Sequence, residues 1–105
     1  MLTGKQKHYL RGLAQTTKPL FQLGKNGLSQ TYFEQIEEAI EKRELVKINL
    51  LQTTEVTVDE LANFLKQHDS RIEIAQKIGR TLVIYKASRK EKYQKISTIV
   101  TKLGR

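Results

Sequence analysis

The sequence predicts an α/β fold: a single compact domain in the order αβαβαββ plus a C-terminal helix, its mixed four-stranded sheet packed with helices. Three observations predict it. The chain has 105 residues, one proline, no cysteine and no Gly/Ser-rich linker, which fits one core rather than two. Four times a Ser or Thr precedes apolar residues spaced three and four apart, the pattern of a capped amphipathic helix. Between these runs lie short apolar stretches bounded by glycine or proline, the pattern of strands.

The elements follow in order. Thr3-x-x-Gln6 is a capping box that opens a helix over residues 4–16, with Gln6, Leu10, Leu13, Ala14 and Thr17 on one stripe and Tyr9 at its edge. Pro19 ends it, because the residue before proline is driven out of the α region. Leu20–Leu23 is a short strand, and Gly24-Lys25-Asn26-Gly27 is the turn that leaves it. Ser29 caps a second helix over 30–43, with Leu28 stapled to Phe33 and with Tyr32, Phe33, Ile36, Ala39 and Ile40 on its buried face. Glu34, Glu37, Glu38 and Glu41 crowd the opposite, solvated face, where like charges one turn apart repel.

Leu45–Leu51 alternates as a strand, and Thr57-x-x-Glu60 opens a third helix over 58–68 that buries Leu61, Phe64 and Leu65. Arg71–Ile78 and Thr81–Ala87 form a hairpin around Gly79-Arg80, where glycine at the first loop position suits a type II′ turn. Ser88-x-x-Glu91 reads as a capping box for a last helix with Tyr93, Ile96, Ile99, Val100 and Leu103 on one stripe. The stripe needs a surface, and the expectation is the domain's own sheet, at Leu82 and Ile84, which makes the chain a monomer.

The net charge of +8 points to a polyanionic partner. Its distribution says more than its total. Residues 1–28 carry five basic side chains and no acid, 29–73 carry five basic against ten acidic, and 74–105 carry nine basic against Glu91 alone. A fold that brings the ends together therefore has one electropositive side. No apolar run approaches the ~20 residues that span a bilayer, and the polar start lacks the apolar core of a secretory signal. A soluble, cytoplasmic protein without a membrane partner is expected.

Catalysis has little to stand on. His8 and His68 fall on separate helices, His68-Asp69 lacks metal-ligand spacing, and Asp59 and Asp69 mark helix ends. No convergent constellation of nucleophile, base and stabiliser exists. The expectation is no enzyme, no metal, no cofactor and no small-molecule substrate. The glycine turn differs. Two glycines let a ligand backbone approach, Lys25 adds a charge between them, and the helix opening at Ser29 offers free N–H groups and its positive dipole end. A phosphodiester backbone suits that arrangement.

In a KH domain the G-x-x-G clamp joins two helices; here a strand precedes it. With Leu2–Ala14, Pro19, Leu23–Ser29, Glu44–Lys47 and Ile78–Lys86, the sequence resembles the CRM domain, the chloroplast RNA-splicing and ribosome-maturation domain, in its stand-alone bacterial YhbY-type form. The resemblance implies a fold similar to the C-terminal domain of bacterial translation initiation factor three and RNA binding through the glycine loop and nearby basic residues. It also implies association with precursors of the large ribosomal subunit. Gln15 and Lys86 stand where that family's pattern carries histidine and arginine.

The resulting expectation is an RNA-binding domain over 1–87 and a basic amphipathic helical extension over 88–105. The RNA surface combines Gly24, Lys25, Asn26 and Gly27 with Lys5, Lys7, Arg11 and Lys18, extended by Arg80, Lys86, Arg89 and Lys90. Tyr9 and Tyr85 are open between base stacking and core packing. The leading reading is a ribosome assembly factor that binds precursor large-subunit RNA. The alternative is a protein-interaction adaptor docking on a ribosomal protein, or self-associating, through the C-terminal helix.

Overall fold

The computed structural model describes residues 2–104. The helices are α1 (Gly4–Thr16), α2 (Gln30–Arg43), α3 (Val58–His68) and α4 (Ile96–Leu103), and the strands β1 (Phe21–Leu23), β2 (Leu45–Leu50), β3 (Glu73–Ile78) and β4 (Thr81–Tyr85). The sheet order is β1-β2-β4-β3, with β1 parallel to β2 and the other two pairings antiparallel. The α2 crossover is what a parallel β1–β2 pair requires.

Local signals set the helix ends. Both capping boxes form: Thr3 Oγ1 accepts from the Gln6 N–H while Gln6 Oε1 accepts from the Thr3 N–H, and Thr57 and Glu60 do the same. Ser29 Oγ accepts the Tyr32 N–H at the start of α2. Each such cap contributes about 1 kcal/mol. Gly79 has φ 54°, the positive value that the first position of a type II′ turn needs.

Strand alternation divides the apolar residues between two layers. Val46, Ile48, Leu50, Leu82 and Ile84 face α2 and α3, where they meet Phe33, Ile36, Ile40, Leu61 and Leu65. Leu45, Val83 and Tyr85 face the other way, onto Leu10 and Ala14 of α1 and Val100 of α4. The tail therefore closes the second layer of its own domain, against Val83 and Tyr85 rather than Leu82 and Ile84. The parity of β4 decides this, because Leu82 and Ile84 already point at α2 and α3. Tyr85 is a core residue, and burial pushes its hydroxyl pKa up to about 12.

The tail departs from its expected form. Ser88 opens no helix: its N–H donates to Glu44 Oε2 and its hydroxyl to Glu41 Oε1, which ties it into the connection. A single 3-10 turn at Glu91–Tyr93 follows, and α4 begins only at Ile96. Glu44 is the reason it begins there. Fully buried and left-handed at φ 64°, Glu44 ends α2 and turns its carboxylate to the tail, where Oε1 accepts the N–H groups of Ile96 and Ser97. A carboxylate from another part of the chain thus caps α4, which has no side-chain cap of its own.

Candidate nucleic-acid interface

The glycine loop leaves the C-terminal end of β1. The Gly27 N–H donates to the Gly24 carbonyl at 3.2 Å, closing a turn over Lys25 and Asn26, both exposed. The two glycines have different reasons. Gly27 has φ 71°, a conformation costly for any residue with a Cβ. Gly24 has no positive φ, and a Cβ there would only touch Thr53 Oγ1 and Leu51 Cδ1 at 3.5 and 3.6 Å. Gly27→Ala is therefore expected to cost about 1–2 kcal/mol of stability, whereas Gly24→Ala leaves the thermal midpoint within a few degrees. Equal midpoints for the two variants would contradict this division.

Tyr32 holds the loop to α2. Its hydroxyl donates to the Gln22 carbonyl at 3.1 Å, its ring packs edge-on against Phe21, and burial pushes its pKa up to about 12. No acidic residue occupies the first turn of α2, so the positive end of that helix stands beside the loop without a charge to offset it.

Arg80 comes to the same end of the sheet. Its Nε donates to the Leu50 carbonyl and Nη2 to the Leu51 carbonyl, while the Leu51 N–H donates to the Leu23 carbonyl at the root of the glycine loop. One residue of backbone thus separates the Arg80 guanidinium from Leu23, the last residue of the strand that the glycine loop leaves. On the α3 side, Glu55 and Asp59 share a depression with Arg80, and Asp59 is paired to Lys77 at 2.7 Å.

Between this end and α1, part of the sheet is uncovered. Gln22 pairs with Asn49, Asn49 with Thr81 and Thr81 with Ile78, forming a row across all four strands on the α1 face. Gln22 is exposed, Asn49 and Thr81 are half-buried, and Ile78 is 56% exposed. Thr81 Oγ1 donates to Asn49 Oδ1 at 3.1 Å, which leaves the Asn49 amide N–H groups without a partner among the described residues. Sequence reasoning missed this row, because alternation marks one strand's polar face but not which residues line up across the sheet.

The flanks of α1 are set by its packing. Gln6, Tyr9 and Leu13 turn toward α4, with Gln6 Nε2 donating to the Val100 carbonyl. Lys7 and Arg11, one turn apart, lie on the opposite flank of the helix. Neither they nor Lys25 and Arg80 form an ion pair with a carboxylate among the described residues.

The remaining expected contacts are dispersed. Lys5 is exposed on the outward side of α1, and Lys18 lies at the start of β1, at the end of the strand away from the loop. Arg89 and Lys90 follow the C-terminal end of β4, also away from the loop, and line a cleft with Glu37, Glu38 and Glu41. Those carboxylates offset their charge, so the structure does not join them to the glycine loop. Lys86 is corrected outright. It is 2% exposed, and its ammonium meets Glu37 Oε1 at 2.5 Å, Asp69 Oδ2 at 2.7 Å and Glu41 Oε2 at 3.7 Å. Burial works against its charge, but Asp69 and Glu37 outweigh that and raise its pKa. The same contact draws half of the supposedly solvated acidic face of α2 into an interior ion cluster.

His68 is likewise structural. Its Nδ1 donates to the Phe64 carbonyl at 2.9 Å and its ring lies 4.7 Å from Phe33 and 4.3 Å from Phe64, centroid to centroid. Among the described residues no group of His, Asp and Glu is arranged to hold a metal, and no helix is long and apolar enough to cross a membrane.

Known proteins resemble the chain in sequence and in fold. The sequence matches the CRS1 / YhbY (CRM) domain over residues 2–86. It is 45% identical over 92 residues to a Bacillus subtilis (strain 168) protein named "Probable RNA-binding protein YqeI", spanning 88% of this chain and 95% of that one. It is 33% identical over 93 residues to a Haemophilus influenzae protein named "RNA-binding protein", spanning 89% and 93%. The fold is similar to the solution structure of the hypothetical protein SAV1595 from Staphylococcus aureus, with a TM-score of 0.68, 43% identity, and 87% and 94% of the two chains covered.

Proposed function

The chain belongs to the CRS1/YhbY (CRM) domain family, and from that membership we propose that it binds RNA through the end of the sheet that carries the glycine loop. One observation carries the reading. Lys25 and Arg80 stand at the loop end of the sheet and Lys7 and Arg11 on the flank of α1 turned from α4, three separate stretches of sequence around the polar Gln22, Asn49 and Thr81, beside a helix start with no acidic residue in its first turn. Phosphates would be held by the four cations and by the first N–H groups of α2. The Asn49 amide and the Gln22 side chain would meet base edges, since primary amides offer both donor and acceptor. The RNA we assign is precursor large-subunit ribosomal RNA, on the family resemblance, and the role is that of an assembly factor with no chemistry of its own.

Lys25→Glu tests the loop. It places an anion beside a helix N-terminus and the phosphates it should attract. RNA affinity is expected to fall about tenfold or more with the thermal transition unchanged; unchanged affinity would exclude the loop from the site. A salt titration tests the whole surface. Four phosphate contacts on single-stranded RNA give a slope of log affinity against log salt of about −3. A flat dependence would instead favour a protein partner.

A further inference from the structure

We propose that a second site, a groove between α1, α4 and the start of β1, binds an acidic protein segment carrying aliphatic anchors. The groove has a volume of about 640 Å³. Its floor is aliphatic, built from Leu13, Leu45 and Ile96. Leu20 and Ile99, two of the three exposed large hydrophobic residues in the described chain, stand on its banks, each 43% exposed. Scattered exposed aliphatics need no explanation, but a pair across one groove marks an interaction surface.

Charge identifies the occupant. Lys18, Arg43 and Lys95 sit around the groove, all exposed and none with a carboxylate partner among the described residues, and no acidic residue lines it. The other cation, Lys47, is already engaged, its ammonium donating to the Ala14 carbonyl at the end of α1. The rim therefore calls for an anion and the floor for branched or long aliphatic side chains. RNA satisfies the first demand but not the second, because bases bind on aromatic planes and amide edges, and Tyr9 is the one aromatic ring in the lining. A peptide with alternating acidic and aliphatic positions satisfies both.

The position matters as much as the chemistry. The groove is walled by Lys18–Leu20, which enter β1, whereas the glycine loop leaves its other end, about 13 Å further along at the rise of an extended strand. A partner can occupy the groove while the loop end remains open. The domain would then join a protein to an RNA.

The test uses the full chain, isotopically labelled, and a short synthetic peptide of leucine and glutamate, with controls in which serine replaces leucine or lysine replaces glutamate. Amide resonances of Leu20, Ile96 and Ile99 are expected to shift, with those of Lys25 and Gly27 unmoved. Arg43→Glu and Ile99→Asp, both at exposed positions outside the RNA surface, are expected to weaken the peptide about tenfold and leave RNA affinity intact. Binding of the serine control as tight as that of the leucine peptide would reduce the site to bulk electrostatics and overturn the proposal. So would groove resonances that respond to a single-stranded RNA oligonucleotide instead of the peptide, or to neither. Because RNA affinity is measured separately, failure of this site and failure of the loop end are distinguishable.

Discussion

Lys86→Met is expected to destabilise the fold by about 3–5 kcal/mol, the usual result of removing one partner from a buried ion cluster. Methionine fills much of the lysine's volume, so the loss is not a packing loss. Glu37, Glu41 and Asp69 converge on one ammonium, and without it three carboxylates face one another in a half-buried space. The contribution of Asp69 to the pH dependence should reverse as well. In the intact protein burial tends to raise the Asp69 pKa, but hydrogen bonds from Lys86 and Arg71 outweigh it and hold the carboxyl well below its usual range. A depressed folded pKa contributes stability above the unfolded value of about 3.9, and that stability is lost as pH falls through the folded pKa. In the variant, burial and repulsion between the carboxylates raise the Asp69 pKa above its unfolded value and push that of Glu37, already raised by burial, further up. Stability is then fully present below the unfolded value and lost as pH rises through the folded ones. Urea unfolding at several pH values between about 4 and 7 should show a steeper fall with rising pH for the variant than for the intact protein, in which burial already raises the Glu37 pKa. Parallel profiles would show that Lys86 is not the counter-ion of this cluster.

That a lysine in a basic C-terminal third should be interior is invisible locally, and this shows what the sequence carries. Helix starts at Thr3, Ser29 and Thr57 were legible because each cap lies within three residues of its partner. The strand order was constrained only to a mixed sheet, yet alternation in β2 and β4 already split their residues between two faces. Lys86 and Glu44 were illegible for the opposite reason. Glu37 lies 49 positions from Lys86, and Ile96 lies 52 from Glu44. No periodicity announces pairs at such separations. Ser88 misled because a Ser-x-x-Glu pattern has a second use: the serine can be captured by carboxylates elsewhere, as it is by Glu41 and Glu44. In the candidate site, the loop and its charge could be read from Gly24–Gly27. The alignment of Gln22, Asn49 and Thr81 required the strand register, and the separation of Arg89 and Lys90 from the loop required the direction of β4.

Glu44→Ala is expected to release α4 and to cost about 2–4 kcal/mol. The carboxylate accepts three N–H groups, from Ser88, Ile96 and Ser97, and hydrogen bonds to a charged group contribute about 1.5–3 kcal/mol each. The loss is bounded, however, because an uncapped tail can undock and return those donors to water. What it then forfeits is the burial of Val100 and the half-buried Ile96, each worth at most about 1.5–3 kcal/mol before the entropy recovered by the freed segment. Glu44→Gly should be milder than Glu44→Ala by about 1 kcal/mol, since glycine adopts φ 64° without the clash a Cβ brings. Hydrogen exchange across Ile96–Leu103 should accelerate in both variants while the amides of α2 and α3 keep their protection. A chain ended after Arg89 completes the cycle: there Glu44→Ala should cost markedly less than in the full chain, because two of the three donors are already gone. Equal costs in the two backgrounds would mean that Glu44 serves the end of α2 rather than the tail.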